Sequence, residues 1–531
     1  MNADRLMEHF ERISDAPDAV GRLRRFILDL AVRGKLVEQD PGESAEASKA
    51  AAAEEPFPLP SNWSCVALGG VLHMINGRAF KPSEWLTKGL PIVRIQNLNN
   101  ESAPFNSCDP KGVDEKNIIN TGTFLISWSG TPGTSFGAFI WQRGKAALNQ
   151  HIFKCLPTGT EYLGRFLQLA INGRLDEMIA KAHGGVGLQH ITKGKLEALA
   201  LPLPPLAEQH RIVEKVDELM KLCDRLESSQ KERESRRDRL VVASLNRLSQ
   251  PTDPDEFKKD ARFQLSNLNR LSTRPKHIKE IRKAILNLAV RGKLVPQDDR
   301  EGTAANSLRT LGLHPADPPP DSEDGVLPPS WCMIRFDDVA TISGGVTLGR
   351  KLGGRKTALV PYLRVANVQR GGFDLSVIKE VDVPVEEVEK YSLKENDLLM
   401  TEGGDWDKVG RSAIWRNQIP LCLHQNHVFR ARMNSPEISP VWFERYFNSP
   451  AGRAYFESCS KQTTNLASIN MRQVRGCPVP LPPLAEQKRI VAKVDELMLI
   501  CDQLETQLAY QQKGRRQLLE ALLHEALEGV G

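Results

Sequence analysis

The 531-residue chain is poor in the patterns that announce an enzyme. It has no GxxxxGK[ST] loop and no Gly-rich turn between a strand and a helix, which excludes the usual phosphate cradles. Its nine cysteines (65, 108, 155, 223, 332, 422, 459, 477, 501) form no CxxC pair and are odd in number. Neither a zinc site nor a disulfide framework is expected, and the chain reads as a reduced, cytoplasmic protein. No apolar run approaches the roughly 18 residues of a membrane span. The polar N-terminus lacks a secretory apolar core, so no membrane partner is expected. Excess charge is also scarce, since 71 Lys and Arg against 66 Asp and Glu leave +5. That balance is compatible with nucleic acid without requiring it. Hydrophobic content of 40% and charged content of 26% allow real cores, and the length predicts two or more domains.

What the chain does have is a repeat, which must be read before anything else. Residues 201–227 and 479–505, each containing PLPPLAEQ, are identical at 21 of 27 positions. Upstream of each, residues 24–40 and 282–298, each containing LAVRGKLV, agree at 13 of 17. The offsets are 278 and 258 residues, so two copies of one module bracket inserts of unequal length. Pro204–Pro205 and Pro482–Pro483 suit the first turn of a helix. Beyond them, apolar residues at 212, 216, 219, 223 and 226, and at 490, 494, 497, 501, 504 and 508, alternate spacings of four and three. This is a coiled-coil seam. Each helix is expected to run about 45 residues, or roughly 65–70 Å at 1.5 Å per residue. The economical partner for each seam is the other copy, packed antiparallel about a pseudo-twofold axis.

The predicted organisation is an N-terminal helix in 1–40, a variable domain at 41–203, a central helical region at 204–295, a second variable domain at 296–481 and a C-terminal helix in 482–531. The first helix is expected over 5–37, broken near its end by Gly34. Linkers are expected at 41–60 and 296–329. In the variable domains, strand-like runs at 91–98, 122–127 and 138–141 have counterparts at 361–368, 396–401 and 412–415. Helices are expected near 162–182 and 441–458. The fold class is α+β: two small mixed β-sheet domains with helices, separated by two long antiparallel helices that form a coiled-coil spacer, with a pseudo-twofold internal repeat.

Fragments that imitate catalytic motifs fail on context. Asp317-Pro318-Pro319-Pro320 lacks the aromatic fourth residue that an amino-methyltransferase loop uses to stack on its target base, and reads as linker. Glu256-Phe257-Lys258 beside Pro254-Asp255 is too compressed for a nuclease cluster and reads as a solvated loop. His151 and His427 end matching tetrapeptides (148–151 and 424–427) but have no nucleophile or metal ligand nearby in sequence. Packing or polar recognition suits them better. The chain reads as non-catalytic, with no cofactor or metal of its own.

Two differently surfaced modules on one duplicated helical frame suit a bipartite target, and duplex DNA is the natural one. Half-sites about one helical turn apart, roughly 34–36 Å, suit such a frame. Arg94, Gln96 and Asn97 in the first domain, and Arg350, Lys351, Arg355, Arg364 and Asn367 in the second, flank the expected strands. Arg and Lys suit guanine and phosphate, and Asn and Gln suit adenine. A scaffold that gathers proteins through its coiled coil without touching DNA is the alternative. Against it, an adaptor has no need of two divergent β-modules.

The duplicated PLPPLAEQ helices and LAVRGKLV helices resemble the specificity subunit of type I restriction–modification systems, over essentially the whole chain. The resemblance implies two target-recognition domains, each reading half of a split, asymmetric DNA sequence. It implies helices that set the spacing and dock two modification subunits, which carry S-adenosylmethionine and methylate adenine. Two restriction subunits are implied as optional further partners. It also implies that the helix at 5–37 packs near the C-terminal helix, as 276–293 packs near 204–248. Carried over by region, contacts are expected around Arg94–Asn97, Ser129, Thr131, Thr134, Asn149, Gln150, His151 and Gln189. In the second domain they are expected around Arg364–Asn367, Glu402, Asp405, Lys408, Asn426, Thr464 and Asn465. Acidic residues such as Glu402 repel phosphate but can accept a hydrogen bond from cytosine N4. Arg94/Asn97 and Arg364/Asn367 match between domains that read different half-sites, so a structural or phosphate role competes there with base reading.

Overall fold

The structure, a computed structural model, describes residues 16, 18–45, 52–130, 136–174, 183–185, 188–249, 254–315, 327–405, 408–462 and 467–528. It divides into two units, 1–233 with 511–531, and 234–510. Five helices organise them: α1 (Ala19–Val32), α2 (Leu206–Ser249), α3 (Pro254–Ser266), α4 (Pro275–Val290) and α5 (Leu484–Glu528). Each unit thus holds one mixed domain, one LAVRGKLV helix, the start of one long helix and the end of the other. At 44 and 45 residues, α2 and α5 have the length that the seam predicts, and α5 runs unbroken through Gly514.

In the first unit, Ile212, Val216 and Cys223 of α2 are buried with Val20, Ile27, Ala31 and Val32 of α1 and with Trp63, Val66 and Phe166 of the mixed domain. The second unit repeats this with Ile490, Val494 and Cys501 of α5, Ile278, Ile285, Ala289 and Val290 of α4, and Trp331, Ile334 and Trp442. The first half of each seam is therefore sealed inside its own unit by a domain core and a LAVRGKLV helix. The far ends are covered too. Val241, Leu245 and Leu248 of α2 pack with Leu271 and Ala284, and Leu519 and Leu522 of α5 with Ala16 and Ala19. Each fully buried side chain of this kind is worth about 1.5–3 kcal/mol. The flanking ion pairs, Arg24 to Asp224 and Glu227, and Arg282 to Asp502 and Glu505, are partly exposed. Such pairs contribute about 0–1 kcal/mol. Packing holds the helices, and the arginine forks set their register.

The structure gives several residues of the repeated motifs a task. Glu208 is fully buried and accepts from Trp63 Nε1 at 2.9 Å and Gln39 Nε2 at 2.7 Å. Glu486 does the same with Trp331 at 3.0 Å and Gln297 at 2.6 Å. Burial pushes both carboxyls up from their ordinary range, opposed by those bonds. Gln209 and Gln487 donate to the carbonyls of Pro204 and Pro482. Arg211 and Arg489 clamp Glu43 and Glu301. Gly34 and Gly292 end α1 and α4 with φ of 68° and 66°, and a Cβ on either would fall 2.4 Å from a proline ring (Pro60, Pro328). Only glycine fits both demands.

Each mixed domain has a four-stranded sheet in the same spatial order. In the first it is Leu72–Asn76, Ile152–Pro157, Phe124–Ser127 and Gly137–Ile140, and in the second Ala340–Ser343, Val428–Met433, Leu398–Thr401 and Ser412–Ile414. A second sheet abuts it, built on Leu90–Val93 with a parallel Ala146–Leu148, or on Thr357–Leu363 with a parallel Leu423–His424. All nine cysteines are free. No helix among the described residues is long and apolar enough to cross a membrane.

Several local expectations are corrected. The run 91–98 is a strand only to Val93 and then turns into the helix Ile95–Asn99; 361–368 likewise turns after Leu363 into a 3-10 turn, Val365–Asn367. The helix expected at 441–458 is two, Pro440–Asn448 and Pro450–Cys459, because Pro450 breaks the ladder and Ser449 caps the second. Residues 254–258 are the start of α3 rather than a loop, with Phe257 packed under α2. The linker 296–329 contains a helix, Ala304–Thr310, whose Ala304 and Leu308 join the core. Residues 46–51 and 316–326, including Asp317–Pro320, lie outside the described residues, as do 1–15 and 17 of the first predicted helix.

Candidate nucleic-acid interface

In both domains the predicted loops converge where the two sheets meet. Asn149 N donates to Val93 O at 3.1 Å, and Gln425 N to Leu363 O at 2.9 Å, so the loop ending in His151 or His427 lies beside the end of the strand carrying Arg94 or Arg364. Arg78 N donates to Leu148 O, and Val346 N to His424 O. The glycine before each sits against that loop: a Cβ on Gly77 would lie 2.1 Å from Asn149 O, and on Gly345 1.9 Å from His424 O. These glycines let two backbones touch, a need that sequence reading missed.

The next layer also repeats. Trp128 N donates to His151 O at 3.4 Å and Trp128 O accepts from Ile191 N at 3.1 Å. Glu402 N donates to His427 O at 3.0 Å and Glu402 O accepts from Ile469 N at 2.8 Å. Trp128 and Glu402 thus occupy one backbone position in two copies. The side chains differ. Trp128 stacks on Phe153 and leans on His151, each with ring centroids 5.6 Å apart. Glu402 instead accepts from His427 Nδ1 at 2.5 Å.

Of the predicted residues, Ser129, Asn149, Gln150 and His151 come together in the first domain, with Gln150 Nε2 3.1 Å from His151 Nε2. Gln189 pairs through its backbone with Gly130. Glu402, Asp405, Lys408, Asn426 and His427 gather in the second domain. Lys408 bonds Asp405 and holds its exposed carboxyl below the usual range. Thr131, Thr134, Thr464 and Asn465 lie outside the described residues.

Asn97 and Asn367 are both buried and their amides bond inside the domain, which matches the structural alternative at these positions. Asn97 Oδ1 accepts from Arg94 N, while Nδ2 donates to Ala103 O and Pro104 O. Asn367 repeats this with Arg364 N, Asp374 O and Val377 O. Arg94 lies over Trp85, 5.5 Å from its ring centroid, and Arg364 donates to Val377 O at 2.9 Å. Gln96 is exposed. Arg350 and Arg355 converge on Glu387 in the helix Val385–Tyr391, and the bond from Arg350, with that from Arg355, lowers the carboxyl's pKa. Lys351 and Lys356 are further exposed cations of the same loop. Inside the second loop, His424 is buried and donates Nδ1 to Val428 O at 2.7 Å, and burial pushes its pKa down to about 4. Its counterpart in the first domain is Leu148.

A scaffold given twice, with the same main-chain frame and different side chains at the same point of each copy, defines a two-part recognition protein. The chain belongs to the type I restriction modification DNA specificity domain family, whose model matches residues 60–234 and 328–511. It is 24% identical to the type I restriction enzyme EcoBI specificity subunit of Escherichia coli over 477 residues, covering 89% of this chain and 86% of that one. It is also 24% identical to the EcoAI specificity subunit of the same organism, covering 96% and 94%. A solved chain from work on complex assembly and conformational transition of the type I R-M system superposes with a TM-score of 0.52 at 18% identity, over 90% of this chain and all of that one. It shares the fold.

Proposed function

We propose that this chain is the non-catalytic sequence-recognition subunit of a type I restriction–modification complex. Each mixed domain reads one half of a split, asymmetric duplex target. The duplicated helices set the gap and dock two modification subunits, which bring S-adenosylmethionine, and restriction subunits join the same assembly. The observation that carries this reading is the pairing of Trp128 with Glu402. Backbone bonds are duplicated there while chemistry diverges, as a protein with two different half-sites requires. The relatives, each a specificity subunit, support the assignment to such a complex.

The test is to assemble the full chain with the modification subunits encoded beside it and select bound duplexes from random DNA. The expected product is a motif of two short half-sites with a fixed gap. Replacing 402–408 with another loop should change one half-site only, and deleting a few residues within 204–248 should change the gap and leave both half-sites intact. A motif in which both half-sites change together would contradict independent reading.

A further inference from the structure

One position separates the two domains chemically. Trp128 and Glu402 make the same main-chain bonds to the histidine loop and to the strand or turn that follows. An indole offers one N–H donor and no acceptor. A carboxylate only accepts, so the ring nitrogen of His427 that faces Glu402 holds the hydrogen. That leaves the other oxygen of Glu402 as an acceptor beside the His427 ring. It borders a cleft of about 480 Å³ whose lining includes Gly403, Gly404, Lys461 and Ser468. Gly403 lets its backbone lie against Ala467 O, 2.7 Å from where a Cβ would stand, and Lys461 supplies an exposed cation suited to backbone phosphate. The pair is itself half-exposed, so it adds little to stability. Its chemistry points outward.

Resting on the DNA-reading proposal above, we propose that position 402, and 128 in the other copy, discriminates bases, and that the Glu402–His427 pair reads an exocyclic amino group. Cytosine N4 is its foremost ligand, since in the major groove a carboxylate matches that donor, with adenine N6 the other amino group there. An indole at 128 cannot accept such a bond, so the first half-site does not use this contact.

Glu402→Gln is the diagnostic variant. Its amide oxygen can take the Nδ1 hydrogen and turn an NH₂ donor toward the base. In the random-duplex selection with the full assembly, preference for an amino-bearing base should fall about tenfold at one position of one half-site. Guanine or thymine, which present carbonyl acceptors, should gain there, and the other half-site should not move. Trp128→Ala should alter only that other half-site. An unchanged motif with E402Q bound would overturn the assignment and leave DNA reading intact. A folded E402Q that loses both half-sites alike would also overturn it. A wild-type assembly that selects no motif would instead overturn the DNA-reading proposal. If E402Q does not assemble, His427→Gln interrogates the same position, with a shift confined to that base as support and an unchanged motif as refutation.

Discussion

The two mixed domains share strand order, a glycine at the loop contact and the bonds around 128 and 402, yet they differ in the side chains at 128 and 402 and at 148 and 424. The first sets an indole against its histidine and holds Leu148 at the base of the loop. The second sets a carboxylate against its histidine, buries a neutral His424 at that base and adds an acidic helix that holds Arg350 and Arg355. The lesson is a division of labour. The backbone bonds around 128 and 402, and those of the buried amides Asn97 and Asn367, are the same in both copies. Variation falls on side chains that the frame presents, such as Trp128 and Glu402, and on one buried position, Leu148 against His424.

The largest expected effect tests what the copies share. Trp63→Ala and Trp331→Ala each remove a buried ring and take one of two donors from a buried glutamate. Each should cost about 3–5 kcal/mol in urea unfolding. Equal losses mean that the two motifs do equal work, and a negligible loss in one would break the symmetry.

Gly77→Ala and Gly345→Ala come next, at about 1–3 kcal/mol, because the added methyl meets a carbonyl in the backbone of its own domain. Each should also weaken selection at one half-site, measured with the assembled complex.

His424 sharpens the contrast between copies. Its folded pKa is lowered, so the unfolded chain binds its proton more tightly. The stability it contributes is complete above its ordinary value near 6.5 and is lost as pH falls toward about 4. Thermal melts between pH 7 and pH 5 should show a loss on the order of 2 kcal/mol. His424→Leu, which installs the first domain's residue, should remove that loss. A pH dependence that survives H424L would place its origin elsewhere.

The smallest effect compares the long helices. Gly514 lies inside α5 with open space at its Cβ position, and the matching position of α2 is Arg236. Gly514→Ala should raise stability by about 0.5–1 kcal/mol, read as an increase in Tm.

The frame was legible in the sequence because it is written twice. The 4,3 seam, the prolines and the glycine that ends LAVRG each have a local physical meaning, and the structure uses them all. Legibility failed where a residue's role depends on distant partners. Asn97 reads as a surface amide until its bonds to 103 and 104 are seen, and Arg350 reads as a free cation until Glu387 lies beside it. Phe257 reads as part of a polar loop until the end of α2 provides a surface for it. Trp128 carried no signal, since only the bonds made by its neighbours reveal that it stands where Glu402 stands. A histidine repeated at 151 and 427 was the visible trace of that site, and its meaning lies in what leans on it.

The most direct test of the central claim, two independent readers on one duplicated frame, is to exchange those readers. Residues 328–481 should be replaced by the matching domain of a related specificity subunit, and the assembled complex put through the random-duplex selection. The account predicts a new motif with one half-site unchanged, the other taken from the donor, and a gap still set by α2 and α5. A motif in which both half-sites change would contradict it.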